Sequence, residues 1–137
     1  MKLRMFLPLM LAIIPQIPQA FSASSTPAVK IEFSLVPTCG GSANSQGNIG
    51  GKVTGLKSPD HYKVVIYAHT DWWYVQPMGD SPYTEIGLDG KWGNWTHLGN
   101  RYAALVVKDS FIPPAKTQKV LSNSEDVIAV GDVPCHA

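Results

Sequence analysis

Hydrophobic and polar positions alternate along much of this chain, in short runs separated by turn residues. Across residues 29–36, Val, Ile, Phe and Leu take turns with Lys, Glu and Ser. A period of two sends the two sets to opposite sides of an extended ribbon, which predicts a half-buried strand. Pro37 ends the run, because it has no N–H to give to a ladder. Residues 40–51 are rich in Gly, Ser and Asn, have no apolar face, and read as a loop. Lys52-Val53-Thr54 reads as a short strand, stopped by Gly55 and the turn residues Ser58-Pro59-Asp60.

The clearest core strand is predicted over residues 62–70, whose β-branched and aromatic side chains suit a packed, pleated surface. Asp71 turns the chain into a further strand over 72–76. Residues 77–82 read as a loop and 83–86 as a short extended piece. Asp89-Gly90 is a tight-turn dipeptide ahead of Lys91-Trp92. Gly99-Asn100 turns the chain into a second strong strand over Arg101–Lys108. Pro113-Pro114 breaks it, residues 120–126 form a polar connector, and a last strand covers 127–133. No 12-residue window carries helical apolar spacing with caps. Seven to eight short strands at this spacing predict an all-β chain, folded as an antiparallel β-sandwich, with a small barrel as the alternative. Val64, Ile66, Leu105, Val107, Ile128 and Val130 are the first core candidates, although the opposite phase of the same strands is also partly apolar.

The first 22 residues follow a different pattern. Lys2 and Arg4 precede an apolar run over 5–14, Pro15 and Pro18 break it, and Ala20-Phe21-Ser22 places small residues where signal peptidase reads. Ten apolar residues are too few for a hydrocarbon core that needs about twenty. The expected organisation is a signal peptide over 1–22, a polar lead-in over 23–28 and a β-sandwich domain over 29–137, in an exported protein that is periplasmic or extracellular.

The chain has 137 residues, 45% apolar and 15% charged, with 11 basic and 10 acidic side chains. Loss of Lys2 and Arg4 with the leader takes the 11 basic residues to 9 against an unchanged 10 acidic ones. So balanced a charge offers no footprint for nucleic acid, or for a membrane surface after signal cleavage. Recognition must then work through shape, aromatic contact and hydrogen bonds. The two cysteines, Cys39 and Cys135, both fall in the mature region. An even count in an exported chain predicts a disulfide between them.

All four tryptophans lie between Trp72 and Trp95. Alternation along a strand forces neighbouring side chains to opposite faces, so Trp72 and Trp73 cannot both be core if that stretch is extended. Exposed indoles beside short polar side chains suit sugars, whose axial C–H groups pack on a flat ring while their hydroxyls seek polar partners. The expected ligand-binding set is Trp72, Trp73, Gln76, Trp92, Asn94, Trp95 and His97, and the expected partner is a polysaccharide or cell-wall glycan. The alternative is a structural module with the tryptophans packed in the core, meeting a protein partner through an edge strand.

Catalytic chemistry finds little support. No serine sits in a nucleophile elbow, no pair of carboxylates is placed for hydrolysis, and the glycines at 40–51 lack the Lys and Ser or Thr of a phosphate loop. His69 and Asp71 with His97 would be a weak three-ligand set, better read as a polar strand end. The chain is therefore read as non-catalytic, with no metal and no cofactor.

The segments Gly51-Lys52-Val53-Thr54-Gly55, Tyr62-Lys63-Val64-Val65-Ile66-Tyr67, Trp73-Tyr74-Val75-Gln76-Pro77, Asp89-Gly90-Lys91-Trp92 and Tyr102-Ala103-Ala104-Leu105-Val106-Val107 resemble parts of small exported bacterial immunoglobulin-like or fibronectin-type modules. Such modules accompany carbohydrate-active proteins. The resemblance spans about residues 48–133 and implies a sandwich rather than an activity. It departs from the antibody pattern, because Cys39 and Cys135 lie near the two ends instead of bracketing a central tryptophan.

Overall fold

The computed structural model of the protein describes residues 28–137; the expected leader lies outside them. Eight strands follow in order: β1 (Lys30–Leu35), β2 (Gln46–Thr54), β3 (Tyr62–His69), β4 (Trp73–Gln76), β5 (Lys91–His97), β6 (Arg101–Lys108), β7 (Lys116–Thr117) and β8 (Val127–Pro134). They form two antiparallel sheets, one in the order β1-β2-β5 and one in the order β7-β4-β3-β6-β8. Among the described residues the only helical element is a single 3-10 turn, Pro59–His61.

The larger sheet is centred on β3 and β6, paired from Tyr62 opposite Lys108 to His69 opposite Arg101. Both of its faces are buried. Val64, Ile66 and Ala68 join Tyr102, Ala104 and Val106 in a core with Ile49, Val53 and Trp92 of the smaller sheet. Val65 and Tyr67 join Ala103, Leu105 and Val107 in a second core on the opposite face, covered by Phe111, Val120 and Leu121. Two-sided burial explains why both phases of these strands are apolar. Val64, Ile66, Leu105 and Val107 are all buried as expected, but in two cores: Val64 and Ile66 lie between the sheets, whereas Leu105 and Val107 lie under the long β6–β8 connection. Ile128 and Val130 are only half-buried. The Tyr67 hydroxyl donates to the Pro114 carbonyl at 2.7 Å and ties that connection down. Burial raises the pKa of this hydroxyl, which keeps it a donor.

The segment 40–51 is a second correction. Its first part is a loop, but Gln46–Thr54 is one continuous strand, paired with β1 on one side and β5 on the other. Glycine serves a purpose here. Gly51 stands between Phe33 and Trp92 in the ladder, and the two rings meet edge to face across it at 5.6 Å. At Gly90, φ is +83°, the left-handed backbone that the Asp89-Gly90 turn requires, and the Lys91 N–H donates to Asp89 Oδ1.

Cys39 and Cys135 form the expected disulfide across 96 residues. The same junction is hydrogen-bonded: the Cys39 N–H donates to the His136 carbonyl at 2.8 Å, and the His136 N–H to the Pro37 carbonyl at 2.9 Å.

Candidate functional site

The four tryptophans do not form one platform. Trp73 opens β4 and is 7% exposed, packed in the second core, with the His69 ring 4.9 Å from its own. Trp92 is 4% exposed and sits between the sheets. The expectation of exposed indoles at Trp73 and Trp92 is thus corrected: both point into packed cores. Trp72 lies in the turn before β4 and is half-buried, with the Lys116 ammonium 4.9 Å over its ring. The adjacent pair is indeed split, one ring buried and one at the surface.

Trp95 is the remaining indole. Residues that pair across a sheet share a face, and three consecutive rows on the outer side of the small sheet frame a groove. Glu32, Lys52 and Lys91 form one; Leu35, Gly50 and Gly93 form the next; Asn48 and Trp95 form the third. The middle row has glycine on two neighbouring strands, so the backbone itself is the floor. Rows two residues apart along a strand are about 7 Å apart. The result is a groove of about 720 Å³ walled by Trp95 and Asn48 on one side and by Lys52 and Lys91 on the other. Among the ring contacts of the described residues, Trp95 touches His97 edge to face at 5.2 Å.

His97 also lines a second cavity, a cleft of about 410 Å³ between the end of β5 and β4, with Asp71, Tyr74, Gln76, Met78 and Leu98. The Trp95–His97 pair therefore joins the groove to the cleft. Gln76, 3% exposed, is the hinge between the two sheets here. Its Nε2 donates to the Tyr74 carbonyl at 3.2 Å. Its Oε1 accepts from the His97 backbone N–H at 2.8 Å and lies 3.0 Å from His97 Nδ1. Both contacts of the amide demand this orientation, because a carbonyl only accepts and a backbone N–H only donates. Gln76→Ala is expected to cost about 2 kcal/mol, since it strands a buried N–H and separates β4 from β5; the shift in urea midpoint measures it.

Asn94 is likewise turned to the protein. Its Oδ1 accepts from the Trp95 N–H at 2.8 Å, and its Nδ2 donates to Thr84 Oγ1 at 3.0 Å. With Asp89 receiving the Lys91 N–H, the edge strand β5 has three backbone donors occupied by side-chain oxygens. Such occupation blunts an edge against strand addition.

At the mouth of the cleft, Asp71 Oδ1 accepts from the Tyr74 hydroxyl, the Thr70 hydroxyl and the Trp72 N–H, each at 3.0 Å. These bonds, Tyr74's foremost, lower the Asp71 pKa, and the same carboxylate raises that of Tyr74. No group of three or more His, Cys, Asp and Glu side chains able to hold a metal occurs among the described residues; His69 Nδ1 instead pairs with Asn100 Oδ1 at 2.8 Å.

Asn48, Gly50 and Gly93 were not among the residues expected from sequence. The signal for Asn48 and Gly50 is the Gly-Asn-Ile-Gly-Gly run, which reads as a loop until its two partner strands are known; Gly93 lies between Trp92 and Asn94 on β5. In comparison with known proteins, no family model matches the chain, no curated protein matches its sequence, and no solved structure matches its fold.

Proposed function

We propose that this protein is an exported, non-catalytic module, immunoglobulin-like in its sandwich, that binds a polysaccharide or cell-wall glycan. One observation carries the reading: Trp95 stands half-exposed beside a floor made of Gly50 and Gly93, with Asn48 opposite it in the same row. A bare floor lets a sugar ring come down to the sheet, and an indole wall gives its C–H face an apolar partner. Asn48, Lys52 and Lys91 supply donors for ligand oxygens. The groove falls within the volume range of small-ligand sites. Export rests on the leader-like residues 1–22 and accords with the disulfide.

The test is retention on a panel of insoluble polysaccharides, with variants. Trp95→Ala is expected to weaken binding at least about tenfold with little change in melting temperature, because a single stacked aromatic commonly contributes more than 1 kcal/mol at a binding surface. Gly93→Ala places a methyl on the groove floor. A Cβ there meets only the Ile49 carbonyl oxygen at 3.6 Å, so the fold is expected to hold while binding drops. Trp72→Ala is expected to bind normally. A well-folded protein retained on no polysaccharide, or Trp95→Ala retained as well as the parent, overturns the reading. Occupation of the β5 backbone donors supports a glycan over a protein partner recognised by strand addition at that edge.

A further inference from the structure

The cleft beside the groove has a chemistry of its own, set by where its hydrogens go. Thr70 and Tyr74 each have one hydroxyl hydrogen, and both are given to Asp71 Oδ1. Their oxygens are left with lone pairs only. Asp71 Oδ1 is fully engaged by three donors, so Oδ2 is the carboxylate oxygen free to accept. Gln76 Oε1 cannot donate, so the hydrogen between it and His97 must sit on Nδ1. In the neutral ring Nε2 is then an acceptor. Gln76 is buried, with one amide N–H given to the Tyr74 carbonyl and its oxygen to His97; its second N–H is the one side-chain donor left in the lining. The four polar side chains remaining in the lining, Thr70, Asp71, Tyr74 and His97, thus all present acceptors.

The rest of the lining is apolar, from Ala43, Ala68, Pro77, Met78 and Leu98, and no Lys or Arg lines the cleft. Its one carboxylate is Asp71, which its hydrogen bonds hold in the ionised form. A site of acceptors around one negative charge is matched by a group that only donates and is positive. An ammonium has three donors and no acceptor, and its compact carbon body would lie against Met78, Pro77 and Leu98. We propose that this cleft binds a primary ammonium group carried on a small uncharged body. The donor-bearing walls of the Trp95 groove have the opposite preference, and the proposal does not rest on glycan binding there.

The same ammonium can come from an amino sugar or from a lysine-like alkylamine. The experiment titrates glucosamine and n-butylammonium into the full chain, with N-acetylglucosamine and n-butanol as neutral counterparts, and follows backbone and imidazole nitrogens by NMR. Either ammonium is expected to shift the amides of Thr70, Asp71, Tyr74 and His97, and the neutral counterparts are not. Preference for glucosamine assigns an amino sugar; equal binding assigns the ammonium alone. Asp71→Asn can keep the hydrogen bonds to Oδ1 but replaces the free acceptor with a donor, and it is expected to weaken ammonium binding about tenfold. Tyr74→Phe, which loosens the carboxylate and removes one acceptor but leaves the charge in place, should weaken it less. Neutral counterparts that bind equally well, an Asp71→Asn variant that binds like the parent, or a His97 ring found protonated on Nε2 alone overturns the proposal.

Discussion

Gly51→Ala is expected to destabilise the protein by about 3 kcal/mol or more, close to the limit a small domain survives. A Cβ at this position would lie 1.7 Å from the Glu32 carbonyl oxygen, 2.8 Å from its carbon and 3.0 Å from Phe33 Cα. All three are backbone atoms of β1, so no side-chain rotation relieves the overlap. Either β1 moves away from β2, which breaks its ladder, or the edge contact between Phe33 and Trp92 opens. Gly93→Ala is the matched control, on the neighbouring strand with ordinary contact distances, and is expected to change stability by less than about 1 kcal/mol. Urea unfolding of the pair decides the matter. Similar midpoints for both variants would mean that β1 does not approach β2 as closely as described.

Loss of the Cys39–Cys135 disulfide is expected to be the other large effect. The bridge closes a loop with a sequence separation of 96 residues. The chain-entropy account assigns such a loop about 4–5 kcal/mol, and observed values are often lower. A loss of about 3 kcal/mol is expected for the Cys39→Ser, Cys135→Ser double variant. For a domain of this size that corresponds to a melting temperature lower by roughly 10–20 °C. The hydrogen bonds that join Cys39 and Pro37 to His136 remain available to the reduced chain. The C-terminal strand should therefore fray before the β3–β6 core opens. Hydrogen exchange compared with and without reductant reads this directly: early loss of protection at 133–136 with an unchanged centre supports it, and uniform loss contradicts it.

The lone Trp92 Nε1 is a smaller peculiarity of the same core. Among the described residues it is the one buried side-chain polar atom without a hydrogen-bond partner. It lies on the residue whose ring meets Phe33 across Gly51, so close packing was kept there at the expense of an unmade hydrogen bond.

Continuous apolar content was enough to read β3, β6 and β8 from the chain alone, since their β-branched residues suit burial on a pleated surface whatever surrounds them. The Asp89-Gly90 turn and the pairing of two cysteines were equally local, one set by a left-handed backbone and the other by arithmetic. Alternation also sufficed to separate Trp72 from Trp73. The sequence did not show that Gln46–Gly51 and the middle of β5 are strands. Gly, Asn and Gln have little intrinsic preference for extension, and these segments are held by ladders on neighbours distant in sequence. Nor did it show which indoles are covered, because burial of Trp73 and Trp92 depends on a long connection and an opposing sheet. Asn94 and Gln76 look like free polar partners in the sequence, yet tertiary structure turns both toward the backbone and leaves Trp95, over a glycine floor, as the surface indole of the groove. Local propensity determines the strands that carry their own hydrophobic pattern; only the assembled sheets decide which polar atoms are already occupied and which face outward.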